Sequence, residues 1–387
     1  MKILYCLTSL AHKRCFQSFV ERPGLEQMIV GPKSVILENI VSEDYSDMKI
    51  RNIYQYNDIS EIQGVVSNFV PDFYLQSDVS DIHKRIVLPA HCKRGFVSHG
   101  LIASYVKKES KRLGINLSNW KGFDFYFGGT NIFKEWIKFA GGEDTNIILN
   151  AIPQFDILYD MEAKSNEDAL NQKLKIINKL TINKPAKILF FAGFCCRDRA
   201  DFLENNEDFF KSCIELEIIA KRNNWFIFIK PRQTYEEMKR FMTAHKSQWR
   251  WINNYIADYN KIQDSKYLHF IPTSCGLYNY YSISDAILLN GCSTIEMEAC
   301  GIGKPLILIN TNSRSITFDS FGTILAGAAY HISDIKKLED IINLATSDII
   351  LKRDIQKKFV KSKGLLIDGK MNERIINKLM ETSKVNY

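Results

Sequence analysis

The chain has 387 residues, 25% of them charged and 45% hydrophobic, with 20 glycines and 9 prolines. That length suits about two domains of 100–200 residues each, and the composition excludes collagenous, low-complexity and disordered chains. The net charge is +7, most of it in residues 351–387, where ten Lys and Arg face four Asp and Glu.

The opening run MKILYCL is apolar for only a few residues before His12, Lys13 and Arg14. It reads as a buried first strand and not as a signal peptide, so a cytoplasmic address is expected. No apolar run reaches the ~18–20 residues that span a bilayer. The runs at 27–32, 72–77, 84–90 and 95–100 are short, apolar or aromatic, and bounded by turn-formers, so each reads as a strand. Helical stretches lie between them, and the pattern continues through 123–129 and 145–153. Strand–helix alternation of this kind predicts a parallel sheet covered on both faces.

Residues 161–186 are charged, polar and helically spaced, and form the connection to a second series. Its strands are predicted at 187–193, 225–231, 267–272, 284–291 and 305–310. A helix at 204–224 joins the first two, with Phe209, Ile214, Ile218 and Ile219 on or near one face. Basic helices follow, the last near 371–383. The reading is therefore a first domain at 1–160, the connection, a second domain at 187–335, and C-terminal helices at 336–387. The nine cysteines are odd in number and scattered, which predicts buried thiols and neither a disulfide framework nor a zinc site. Asp78 and Asp81 read as turn and cap residues. No metal and no cofactor is expected.

Two similar α/β domains, each beginning with a strand, predict the GT-B arrangement of two Rossmann-like domains facing each other across a cleft. Ligands in open α/β sheets bind beyond the carboxyl ends of the strands. Three segments could carry chemistry there. In SDAILLNGCSTIEMEACGIGKPLILIN (284–310) a strand runs into a helix opened by Ser293 and Thr294 and closed by Gly301 and Gly303. Ser293 with Glu296 matches a capping box. The same helix mouth suits phosphate, with Glu298 available to ribose hydroxyls. His99, beside Gly100 at a strand end, is a candidate general base. His12 and Lys13, after the first strand, are candidates for the side that receives an anionic acceptor.

The run around Ser293, Thr294, Glu298 and Gly303-Lys304-Pro305 resembles the nucleotide-binding segment of many GT-B enzymes, among them UDP-N-acetylglucosamine 2-epimerases and nucleotide-sugar glycosyltransferases. The first half resembles CDP-glycerol glycerophosphotransferases of teichoic-acid and capsule synthesis. The matching residues are His99-Gly100, Lys107-Lys108, Phe123-Asp124, and Ala151 to Leu158 as the family's G-x-P-x-x-D-x-L element. That resemblance implies a nucleotide-activated donor, with Arg197 or Arg199 facing its diphosphate. Lys230-Pro231 matches the family's Lys-Pro-His-Pro, but Arg232 replaces the histidine, and Asn290-Gly291-Cys292-Ser293-Thr294 replaces Thr-Asp-Tyr-Ser-Ser. An arginine there binds charge but is no base.

The expected function is transfer of an alditol-phosphate or sugar unit from a CDP- or UDP-type donor to a hydroxyl of a cell-surface polymer or glycan. The alternatives are a nucleotide-sugar epimerase of the same fold and a non-catalytic nucleotide- or glycan-binding module. The basic C-terminus suggests an anionic glycan or lipid-linked acceptor, with peripheral contact at the inner face of a membrane. Nucleic acid is not expected as a partner, because aromatics are not interleaved with the cations.

Overall fold

Strands buried on both faces need continuous apolar runs, and such runs dictate the two sheets of this chain. The computed structural model describes residues 1–7, 13, 15–33, 36–37, 40–41, 45, 48–77, 85–98, 100–101, 116–143, 146–163, 171, 185–193, 201–231, 262, 265–271, 277–290, 294–311, 321–347 and 349–384. The first unit comprises Met1–Asp160 and Lys361–Tyr387, and the second Met161–Val360. The chain therefore passes between units twice.

In the first unit β1 (Lys2–Cys6), β2 (Glu26–Pro32), a small antiparallel pair β3 (Ile36–Leu37) and β4 (Ile40–Val41), and β5 (Ile53–Tyr56) lead to helix α1 (Glu61–Phe69). Then come β6 (Phe73–Gln76), β7 (Lys93–Val97), β8 (Phe125–Phe127), α2 (Asn131–Phe139), β9 (Ile147–Ile148) and α3 (Gln154–Ala163). The sheet order is β5-β2-β1-β6-β7-β8-β9, with parallel pairing throughout. Alternate residues of β1 feed two cores. Ile3 and Tyr5 pack with Phe16, Phe19 and Phe73, while Leu4 and Cys6 pack with Ile62, Val66 and Tyr74.

The strand expected at 84–90 is absent among the described residues 85–90. The Gln63 side chain captures that backbone: its Nε2 donates to the Val87 carbonyl at 3.0 Å, and Val87 N–H donates to its Oε1 at 2.8 Å. Val87 points to solvent, and Pro89 has no N–H to give a ladder. The next strand, expected at 95–100, runs from Lys93 to Val97 and pairs with β6.

In the second unit β10 (Lys187–Gly193), α4 (Asp201–Asn223), β11 (Trp225–Lys230), β12 (Leu268–Phe270), α5 (Tyr278–Ile283), β13 (Ala286–Asn290), α6 (Ile295–Gly301), β14 (Leu306–Ile309) and β15 (Tyr330–Ile332) precede α7 (Leu338–Ser347) and α8 (Ile349–Ser362). The order β12-β11-β10-β13-β14-β15 is again parallel throughout. On α4 the buried row is Phe209, Cys213, Leu216 and Ala220, while Ile218 is 52% exposed. Of the expected face, Phe209 and Ile219 are in the core and Ile214 packs against it, so Ile218 alone departs. Gly193 is needed where α4 crosses β10, because a Cβ there would collide with the Phe209 ring. Cys6, Cys15, Cys92, Cys213 and Cys300 are buried.

Helix α6 ends in a Schellman motif. Gly303 N–H donates to the Cys300 carbonyl at 3.2 Å and Lys304 N–H to that of Ala299 at 3.0 Å, with Gly303 at φ +67°. Lys304 Nζ then donates to the carbonyls of Ser282 and Ser284, so this lysine is structural. Gly303→Val combines left-handed strain with a collision on the Arg353 side chain. A loss of about 2–4 kcal/mol is expected in chemical denaturation, and an unchanged midpoint would refute this account.

The C-terminal segment is fastened to the first unit. Helix α9 (Met371–Lys384) presents its first N–H groups to Asp156: Met371 N–H donates to Oδ1 at 2.9 Å and Asn372 N–H to Oδ2 at 2.8 Å. Leu366 N–H donates to Asn150 Oδ1 at 2.7 Å, and Arg374 forks onto Asp368. That fork, first among its causes, holds the Asp368 carboxyl below the ordinary range.

Candidate functional site

Each sheet has one point where the strand order reverses, and both fall at parallel strands whose carboxyl ends lie side by side. In open α/β sheets this is where a crevice for ligand forms. In the second unit it lies between β10 and β13. Register pairs Gly193 with Asn290 and Ala192 with Lys230, so β13, β10 and β11 end level with one another. The segments carrying every expected donor-side residue leave from these three ends.

Of those residues, Lys230 closes β11 and is half-buried. Thr294 is the N-cap of α6, and its hydroxyl makes no capping hydrogen bond. Arg197, Arg199, Arg232 and Ser293 lie outside the described residues. The capping-box expectation for Glu296 is corrected: it is the second helical residue, fully buried, and its Oε2 accepts from the Thr323 hydroxyl at 3.0 Å. A carboxylate taken from water needs a donor, and Thr323 supplies one.

Glu298 is also fully buried, and its Oε2 accepts from the Tyr281 hydroxyl at 3.0 Å. Tyr281 stands edge-on against Phe190 of β10 at 4.9 Å. Helix α5 therefore links the β10 core to the carboxylate of α6. The sequence reading passed over Tyr281, although the tyrosines of YNYYSI, just before β13, were its signal.

In the first unit the reversal lies between β1 and β6, where Cys6 pairs with Gln76. Lys13, expected on the acceptor side, is buried. His12 and His99 lie outside the described residues, as do Lys107 and Lys108. The backbone beside His99 is described. Ser98 follows β7, its N–H donates to the Phe127 carbonyl at 2.9 Å, and its hydroxyl donates to that of Gly100 at 2.6 Å. His99 is thus the second residue beyond the carboxyl end of a sheet strand. Gln76, Ser77 and Ser98 are buried polar residues at these strand ends that the sequence reading missed. Their signal was a polar residue directly after an apolar run. Gln154, at the start of α3, is fully buried, and neither atom of its amide has a hydrogen-bond partner.

Two elements of the family resemblance have structural explanations. Asp124 precedes β8 at the amino edge of the sheet, where its Oδ2 accepts from Arg94 N–H at 2.7 Å. Asp156, the acidic residue of the Ala151–Leu158 element, caps α9. Among the described residues no group of three or more His, Cys, Asp or Glu side chains could hold a metal ion, and no helix is long and apolar enough to cross a membrane.

Neither a protein-family model nor a curated protein matches the sequence. Solved structures do match. The UDP-GlcNAc 2-epimerase of Neisseria meningitidis bound to UDP-GlcNAc aligns with a TM-score of 0.61 at 14% identity, covering 98% of this chain and 100% of that one. The enzyme of the same name from Methanocaldococcus jannaschii, in complex with UDP-GlcNAc and UDP, aligns at 0.60 and 14%, again over 98% and 100%. The wall teichoic acid polymerase TagF aligns at 0.63 and 11%, over 100% of this chain and 90% of that one. At such identities the likeness is one of fold. With the two parallel sheets, it makes this a two-domain, Rossmann-like GT-B fold.

Proposed function

We propose that this chain is a GT-B transferase that moves an alditol-phosphate or sugar unit from a CDP- or UDP-activated donor to a hydroxyl of a cell-surface polymer or glycan. The observation that carries the donor side is the level ending of β10, β11 and β13 at the order reversal of the second sheet. Lys230 closes β11, Thr294 caps the helix that follows β13 in the chain, and Arg197, Arg199, Arg232 and Ser293 belong to the adjoining segments. Arginine forks and hydroxyl donors suit diphosphate oxygens. In this reading Glu298, oriented by Tyr281, accepts from the ribose hydroxyls.

The acceptor belongs to the first unit. His99 takes the proton of the acceptor hydroxyl as its oxygen bonds to phosphorus or to the anomeric carbon. The bond to the nucleotide breaks, its electron pair leaves on a phosphate oxygen, and the cations of the second unit stabilise that charge. His12 and Lys13 favour an anionic acceptor. No metal or cofactor enters this scheme. The fold likeness to two epimerases and to a teichoic acid polymerase supports nucleotide-sugar or related chemistry.

Thr294 makes no capping bond, which favours a ligand role for its hydroxyl. Replacing Ser293 and Thr294 together by alanine is expected to weaken CDP or UDP binding by about 1–3 kcal/mol, read by calorimetry with the melting temperature as fold control. Unchanged affinity would leave these residues a structural role alone. The activity itself is tested by nucleotide release from CDP-glycerol and UDP-GlcNAc, with and without a polyol-phosphate acceptor. Acceptor-dependent release is expected. Acceptor-independent conversion of UDP-GlcNAc would establish the epimerase alternative, and binding without turnover the binding module.

A further inference from the structure

We infer that the second unit carries its own attachment site for an anionic lipid bilayer, built from the turn at Gly322–Gly327 and the basic face of α8. Leu325 is 93% exposed, the most exposed of the large apolar residues in the described structure. Its turn is held in shape. Ala326 N–H donates to the Gly322 carbonyl at 3.1 Å, Gly327 N–H to that of Ile324 at 2.8 Å, and Ala328 N–H to that of Thr323 at 2.8 Å. Thr323 is fully buried and its hydroxyl is bound to Glu296. The leucine is therefore presented on a fixed, hydrogen-bonded tip, with Ala326 exposed beside it. An ordered apolar side chain held in water is a cost that burial would remove.

Helix α8 supplies the charge. Lys352 Nζ donates to the Gly327 carbonyl at 2.6 Å and lies 4.4 Å over the Tyr330 ring. One turn on, Gln356 Nε2 donates to the carbonyls of Ala328 at 3.0 Å and Lys304 at 2.8 Å. The row Lys352–Gln356 thus fastens the helix to the end of the turn. Arg353, Lys357 and Lys358 stand on the exposed side of the same helix, with Asp354 as their acidic neighbour. A fixed apolar tip fastened to a helix that carries exposed cations complements one surface in particular: anionic headgroups over an acyl layer. The proposal names the membrane-facing part of the transferase reading and rests on that reading for its purpose, but its test needs neither nucleotide nor acceptor.

The test is sedimentation of the full chain with large unilamellar vesicles of phosphatidylcholine alone, and of phosphatidylcholine with phosphatidylglycerol. Binding to the anionic vesicles only is expected, weakening as NaCl rises. Leu325→Glu and the double variant Lys357→Glu/Lys358→Glu are each expected to lower the partition coefficient at least about tenfold. Both alter exposed side chains, so unchanged melting temperature and CDP or UDP affinity verify the fold. Equal binding to neutral vesicles, no binding at low salt, or full binding by Leu325→Glu would overturn the proposal. So would a dimer in sedimentation velocity that Leu325→Glu dissolves, because the tip would then belong to a second copy. Vesicle binding that persists while nucleotide binding fails would sink the transferase reading and leave this site standing.

Discussion

His99→Ala is expected to lower turnover about 10²–10⁴-fold, the range that a positioned general base contributes. CDP or UDP affinity should stay nearly unchanged, because the donor residues belong to the other unit. The reason lies in position. His99 is the second residue past β7, beside a Ser98 locked by its bonds to Phe127 and Gly100. Ligands of such sheets lie at this edge. The measurement is release of CMP from CDP-glycerol or UDP from UDP-GlcNAc in the presence of acceptor. The acid limb of the wild-type pH profile should also vanish in the variant, since a base must be deprotonated to act. Normal turnover by His99→Ala on a donor and acceptor that the wild type uses would remove this histidine from the chemistry.

Asp156→Ala is expected to destabilise the first unit by about 3–5 kcal/mol, because two charge-assisted bonds are lost and two N–H groups of α9 are left unmet at a buried position. Thermal unfolding with a reporter on α9 would read it, and Asp156→Asn, which keeps one acceptor, should recover part of the loss. Burial, the largest cause, pushes the Asp156 carboxyl above the ordinary range, against the lowering by its bonds to Asn372 and Met371. The native state then holds more protons than the unfolded one between the ordinary and the raised value. This residue's contribution therefore declines as pH rises through that window. Asp156→Asn should flatten that decline. Asp368 carries the opposite sign. The Arg374 fork lowers its carboxyl, so its contribution is complete above the ordinary range and is lost as pH falls through the lowered value. An Asp156→Ala variant as stable as the wild type would show that α9 is held by its apolar face alone.

The strand residues were legible where burial is complete. The run 187–193 reads as one strand and is one, because a central parallel strand has no solvent face to break its apolar pattern. The end of α6 was equally legible, since a left-handed cap position favours glycine, and Gly303 is there. The edge strands divided: β12 falls inside the run 267–272 and β9 inside 145–153, whereas β5 and β15 lie outside every run read as a strand. β5, with the sequence IYQY, alternates weakly and pairs on one side only, and it went unread. Residues 84–90 have strand composition, yet the Gln63 amide takes the Val87 backbone bonds a strand would need.

By itself, then, the sequence determined the α/β class, the two sheets, most central strands and the segments where chemistry could lie, because these follow from local apolar runs and turn residues. Tertiary structure alone decided which strand ends stand level, since strand order is set by pairing between segments far apart in the chain. It also decided that Asp156 caps a helix 215 residues away and that Glu298 answers to Tyr281. Buried carboxylates take whichever donors the fold brings to them, and no local pattern records that choice.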